Sequence, residues 1–215
     1  MKQQKAIVLY SGGRDSSFVA LLLSSLGYDV KLVTATAGIV KNSWKTAANS
    51  AKILGFEHEV LKIDKYIFEA AAKIAQKDGF LLNAVKHIHS NVLEKAAEKY
   101  RKSFGIIADG TRRDDRTPRL TYREMQSLEG RYKISYVAPL LGFGHREINF
   151  LSDSLFKYDK IFAGAKPTSE YETELRAVLV KNFPKSAKKI FPKSHFHTVV
   201  TGLKSSRIPL LLKSG

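Results

Sequence analysis

Cysteine is missing from all 215 residues. That single absence removes disulfides, thiolate zinc sites, iron–sulfur clusters and an enzyme-borne persulfide together. Long apolar runs are missing too: no window approaches the roughly 18 uninterrupted residues of a membrane span. The opening "MKQQKAIVLYSGG" reaches a Gly-Gly turn too early to read as a signal peptide. A soluble, cytoplasmic protein with no membrane contact is the expectation. Acidic residues are scarce, 20 against 36 Lys and Arg, which gives a formal net charge of +16. The imbalance is uneven, because Lys181 to Gly215 carries eight basic residues and no acidic one, half of the surplus. Such an excess favours polyanionic partners through counterion release, or else serves as a solvated surface. No internal repeat or low-complexity tract interrupts the chain.

What is present reads as one globular unit. The hydrophobic share of 44% and charged share of 26% are ordinary, and the length supports one sizeable core. Apolar runs alternate with helical stretches. "KAIVLY", "DVKLVTATAG", "HEVLKI", "FGIIADG" and "ISYVAPLLG" read as strands. Between them "SSFVALLLSSLG" reads as a helix capped by Ser16 or Ser17 and closed by Gly27, and "SWKTAANSAKILG" as one opened by Ser43 and stopped by Gly55. Two further helices, "KYIFEAAAKIAQK" and "LLNAVKHIHSNVLEKAAEKY", precede the fourth strand, and "HREINFLSDSLFKY" after the fifth also reads as helical. Strands separated by helices of this length need crossover connections, hence a parallel sheet covered on both faces. The expected fold is α/β, a doubly wound five-stranded parallel sheet over residues 1–165, with a short basic C-terminal extension over 166–215.

In such sheets ligands bind beyond the carboxyl ends of the strands, where the winding switches direction. Ser11-Gly12-Gly13 falls at the end of the first strand and just before a helix. Two glycines there allow close backbone approach, and the helix start offers free N–H groups to an anion, so a phosphate fits; simple turn chemistry is the competing reading. The segment is neither the P-loop pattern nor the G-x-G-x-x-G of dinucleotide folds.

The stretch "SGGRDSS" resembles the S-G-G-x-D-S signature of the PP-loop ATP pyrophosphatases, the adenine-nucleotide alpha-hydrolase-like superfamily of Rossmann-like fold. "ADGTRRDD" is similar to that family's G-T-x-x-D-D stretch after the fourth strand, and "APLLGFGHREI" resembles its Pro-Leu segment ending in Glu-Ile. The resemblance covers about the first 155 residues. It implies a ligase-type enzyme using ATP and Mg²⁺: a substrate oxygen attacks the α-phosphorus, pyrophosphate leaves, and a nucleophile then displaces AMP. By the same resemblance Ser11, Gly12, Gly13, Ser16 and Ser17 grip the β,γ-phosphates. Asp15 serves catalysis and places the metal, with a helix-dipole carboxylate as its plain alternative. Val33, Thr34 and Ala35 lie beside the adenine, and Gly110 and Thr111 approach from the neighbouring loop. Asp114 and Asp115 become metal or substrate ligands, while Arg112 and Arg113, in a cluster with Arg116 and Arg119, stabilise phosphoryl charge; internal Arg–Asp pairing at the surface is the alternative.

The chain also departs from that pattern. His145 and Arg146 stand where many such enzymes carry a lysine, and without cysteine the chain can transfer sulfur only from free sulfide or a partner. His87-Ile88-His89 falls in a helix, where i,i+2 side chains diverge, which argues against a shared metal. His195-Phe196-His197 precedes a Val-Val run; in a strand the two imidazoles share a face, suiting a metal or phosphate, but no third ligand is visible and an ordinary edge strand is favoured. The tail interleaves basic residues with Phe191, Phe196 and histidines, the mixture expected of a surface that tracks RNA and stacks bases. RNA of tRNA size is therefore one candidate partner and a second copy of the chain another. A small-molecule amide-forming ligase and an ATP-binding protein without turnover stay open.

Overall fold

The computed structural model describes residues 4–116, 119–191 and 195–204. Five strands, β1 (Lys5–Leu9), β2 (Asp29–Thr36), β3 (Glu57–Lys62), β4 (Ile106–Ala108) and β5 (Ser135–Val137), pair in parallel in the order β3-β2-β1-β4-β5. The chain winds outward from β1 to β3, then crosses back to place β4 on the other side of β1. The winding direction therefore switches between β1 and β4. This is the doubly wound α/β sheet that the alternation of apolar runs predicts.

Period two within β1 divides the interior. Ile7 and Leu9 point into one core, with α3 (Lys65–Asp78), α4 (Leu82–Tyr100), α7 (Tyr171–Asn182) and α8 (Pro184–Ile190). Ala6, Val8 and Tyr10 point into the other, with α1 (Arg14–Ser25), α2 (Lys45–Leu54) and α6 (His145–Leu155). Alanines line the α3–α4 contact, among them Ala71, Ala75, Ala84 and Ala96, and let these two long helices lie close together. No helix among the described residues is long and apolar enough to cross a membrane.

Three local expectations are corrected. Helix α1 starts at Arg14 with Gly13 as its N-cap, so Ser16 and Ser17 lie inside its first turns; their hydroxyls meet the Gly13 carbonyl and the Tyr10 hydroxyl instead. Helix α2 starts at Lys45, and its cap is supplied from far along the chain: Ser169 Oγ accepts the Ala47 amide at 3.0 Å. The helix expected over "HREINFLSDSLFKY" ends at Leu155, and Phe156–Phe162 continues as β6. It pairs antiparallel with β7 (Phe196–Leu203), and that long-range ladder decides the conformation over local pattern. Helix α5 (Tyr122–Tyr132) escapes the apolar pattern because only Leu128 on it is buried; a Thr121–Glu124 capping box marks its start.

The segment after residue 165 is woven into the body. Leu175, Val178, Leu179, Ala187 and Ile190 join the core that contains Ile7, and Val200 joins the one that contains Val8. Lys193, Arg207 and Lys213 of the basic tail lie outside the described residues.

Candidate active site

Beyond the carboxyl ends of β1, β2 and β4 the sheet opens into a cleft of about 240 Å³. Ser11, Asp15, Ser16, Val33, Ala35, Gly110, Thr111 and Asp115 all face it.

Its floor is the turn from β1 into α1. Gly12 takes φ +81°, in the left-handed region, and a Cβ there would lie 2.9 Å from the Cα of Ala47. Both facts demand glycine. With glycine at the N-cap, α1 has no cap from its own N-cap side chain; Thr198 covers the Arg14 amide, while the amides of Asp15 and Ser16, residues that line the cleft, have no side-chain acceptor. Strand β7 supports this turn from behind: the Val200 amide donates to the Gly12 carbonyl at 2.9 Å, and Thr198 Oγ1 accepts the Arg14 amide at 3.3 Å. Gly110 packs so closely on α1 that a Cβ would lie 3.0 Å from the Ser16 nitrogen, which locks the loop after β4 against the same turn.

Asp15 is set where charge is costly. Burial pushes its carboxyl above the ordinary value despite Arg112 and Arg14 nearby, and its Oδ1 has no hydrogen-bond partner. Oδ2 faces Arg112 Nη1 at 3.3 Å. Arg112 is in turn clamped to Asp115 Oδ1 by Nε at 3.2 Å and Nη2 at 2.7 Å. The Arg–Asp pairing proposed as the plain alternative is thus present, and it is located at the mouth of the cleft.

Other sequence-named residues turn away. Ser17 is fully buried and bonds Tyr10, so its hydroxyl does not reach the cleft. Thr34 alternates to the opposite face from Val33 and Ala35, where its hydroxyl donates to the Tyr10 carbonyl at 2.6 Å. Arg113 reaches the Gly142 carbonyl at 3.1 Å. Asp114 receives both the amide and the Nδ1 of His145, at 2.8 and 2.9 Å, and these bonds hold its carboxyl down to about 2.

The sequence reading missed one side of the cleft. Asp109, only 4% exposed, receives His89 Nε2 at 2.8 Å, the Tyr136 hydroxyl at 2.7 Å and the Thr111 amide at 2.9 Å. Burial alone would raise this carboxyl, but His89, Tyr136 and Thr111 together keep it below its ordinary value. Asp109 in turn pushes the Tyr136 hydroxyl up, adding to burial. His89 thus parts from His87, whose Nε2 is buried without a partner. The far wall is Ser169, Glu170 and Tyr171 from the start of α7. Glu174, one turn on, accepts the Thr36 hydroxyl at 2.8 Å and the Ala37 and Ile39 amides at 2.8 and 2.9 Å, which fastens α7 to the loop after β2. Composition hints at none of this, although "TSEYETE" is the most acidic stretch of the second half.

On the outer face, Lys181, Lys185, Lys188 and Lys189 are exposed along α7 and α8. The expectation that Phe191 stacks bases is corrected: it is buried, with the Arg176 guanidinium 3.6 Å above its ring. Phe196 is 56% exposed, edge-on to Phe162.

Comparison with known proteins adds relatives. An uncharacterized protein of Methanocaldococcus jannaschii is 44% identical over 204 residues, 95% of this chain and 98% of its own length. A crystal structure described as a predicted subunit of tRNA methyltransferase from the same organism matches with a TM-score of 0.85 and 42% identity, covering 94% of this chain and 98% of that one. The 7-cyano-7-deazaguanine synthase of that organism is 43% identical over 63 residues, 27% of this chain and 26% of its own length. A family model matches residues 4–202, and the chain belongs to that family, the family of unknown function DUF7411.

Proposed function

We propose that the protein is an ATP pyrophosphatase of the PP-loop kind that adenylates a substrate oxygen, with an RNA, tRNA in particular, as the acceptor. The observation that carries this reading is the start of α1 behind Gly12 and Gly13, where the Asp15 and Ser16 amides lack a side-chain acceptor, at the point where the sheet's winding switches. The partial match to 7-cyano-7-deazaguanine synthase supports the same chemistry.

In this mechanism the triphosphate rests on Ser11–Gly13 and the first turn of α1, with the base against Val33 and Ala35. The acceptor oxygen bonds to the α-phosphorus as the bond to pyrophosphate breaks. Pyrophosphate departs with the electron pair, and the first-turn amides with the dipole of α1 stabilise the added charge. Arg112, paired with the cleft-lining Asp15 and Asp115, balances charge on the α-phosphoryl group. A nucleophile then displaces AMP from the acceptor. Mg²⁺, when bound, would neutralise phosphate charge, and Oδ1 of Asp15, which accepts no hydrogen bond and has Arg14 Nε at 3.5 Å, fits it. Asp115 accepts hydrogen bonds from Arg112 on both oxygens and Asp114 from His145 on Oδ2, whereas Asp15 accepts none, so Asp15 is the better metal ligand of the three.

The exposed lysines of α7 and α8 and the description of the M. jannaschii structure as a subunit of tRNA methyltransferase favour RNA over a metabolite, and add a protein partner as a further proposal. The test is pyrophosphate release from ATP and Mg²⁺ with cell extract divided into RNA and small-molecule pools. Release stimulated by the RNA pool supports the reading. Stimulation by metabolites alone would replace RNA with a small acceptor, and ATP binding without release under any condition would remove catalysis.

A further inference from the structure

The two histidines before the Val-Val run acquire in three dimensions the third ligand that sequence could not supply. Glu172, in the first turn of α7, faces both: its Oε2 lies 3.6 Å from His195 Nε2 and 3.7 Å from His197 Nε2. Among the described residues this is where three such ligand atoms converge, all within 4.8 Å of one another.

These separations are too long for hydrogen bonds, so neither imidazole bonds the carboxylate directly. They are close to what a shared metal imposes: two ligands each about 2.0–2.2 Å from a tetrahedral ion sit about 3.3–3.6 Å apart. The surroundings hold the ligands in place. Arg176 Nη2 donates to Glu172 Oε1 at 2.6 Å, which leaves Oε2 turned to the imidazoles, and the guanidinium is itself stacked on Phe191. The His195 carbonyl accepts the Ala163 amide at 2.9 Å, and His197 sits in register with Ile161 on β6. The two imidazoles pack edge to face with centroids 4.7 Å apart. Glu172 and His197 side chains are only 12% and 11% exposed, whereas His195, at 44%, stands at the mouth.

We propose that Glu172, His195 and His197 bind one transition-metal dication of the zinc class, through one carboxylate oxygen and two imidazole nitrogens, with a fourth position open to water. Two nitrogen donors select such an ion over Mg²⁺ or Ca²⁺, which take oxygen ligands. The bound ion ties the start of β7 to the start of α7, and so joins the strand that supports Gly12 to the helix that forms the far wall of the cleft.

The experiment uses the full chain, stripped with chelator and kept free of ATP, titrated with ZnCl₂ by calorimetry and with CoCl₂ by visible absorption. The expected result is one equivalent bound with micromolar or tighter affinity, a Co²⁺ spectrum of tetrahedral type, and a melting temperature raised by Zn²⁺. His197→Ala and Glu172→Gln are each expected to weaken Zn²⁺ binding about 100-fold. The more exposed His195→Asn, which disturbs least packing, should melt like the stripped wild type yet lose the Zn²⁺-dependent rise. Absence of binding to the wild type, or undiminished binding by His195→Asn, overturns the site. So does a stoichiometric site abolished by His89→Ala instead, because that places the metal in the cleft.

Discussion

The amide of Val200 donates a 2.9 Å hydrogen bond to the carbonyl of Gly12, across 188 positions of sequence. The strand that ends the described chain thereby fixes the turn that opens it. Thr198 on the same strand accepts the amide of Arg14, two residues on. The turn from β1 into α1 is consequently braced by β7 at two points, the kind of preorganisation that binding by backbone donors requires.

Gly12 and Gly13 should fail in different ways. Gly12→Ala forces a left-handed backbone on a residue whose Cβ meets Ala47 backbone at 2.9 Å, so it is expected to cost about 2 kcal/mol of stability or more. Gly13 has φ −77°, which any residue adopts, and its Cβ would meet Ser11 Oγ at 3.2 Å and the Thr198 carbonyl at 3.3 Å. Gly13→Ala should therefore cost less stability than Gly12→Ala, because only these close contacts must yield, while losing ATP turnover about 100-fold. Chemical denaturation of both variants beside pyrophosphate release separates the two effects.

Asp15→Asn should abolish turnover yet stabilise the free protein at neutral pH. Burial raises this carboxyl above its ordinary 3.8, so the folded state carries a penalty for its charge. That penalty is complete above the raised folded value and vanishes as pH falls through it toward 3.8. The advantage of the variant in thermal melts is accordingly expected at pH 7 and should shrink at pH 4. A variant less stable than wild type at pH 7 would contradict this.

Asp109 has the opposite sign. Its carboxyl is held below 3.8 by His89, Tyr136 and Thr111, against burial. Its stabilising effect is present above the unfolded value of 3.8 and lost as pH falls through the lower folded value. Asp109→Asn should thus be less stable than wild type at pH 7, and the gap should narrow below pH 3.8. Urea midpoints at pH 7 and pH 3 check it.

Glu174→Ala removes the acceptor for one hydroxyl and three amides in a site 3% exposed, and is expected to cost about 3 kcal/mol or more. Glu174→Gln keeps one acceptor oxygen and should lose less. Ser169→Ala, which uncaps α2, is expected to cost about 1 kcal/mol. Thermal denaturation ranks the three.

The particular elements explain what sequence could reveal. Strands β1, β2 and β4 are buried on both faces, so they appear as apolar runs ending in turns, and the Ser11–Gly13 turn announces itself through local chemistry. Strand β6, "FKYDKIF", follows a helix with no breaker, and only its pairing with β7 makes it a strand. Likewise His89 with Asp109, Ser169 with Ala47 and Glu174 with Ala37 meet across 20, 122 and 137 residues, where no local pattern reports them. Thr34 and Ser17 carry suitable chemistry in the right segment, but their hydroxyls bond Tyr10.

The most direct measurement is a crystal structure of the full chain with Mg²⁺ and a nonhydrolysable ATP analogue. The account predicts triphosphate density on Ser11–Gly13 and the amides of Asp15 and Ser16, with the base against Val33 and Ala35. Density at another place on the molecule, or an empty cleft at saturating analogue, would contradict it.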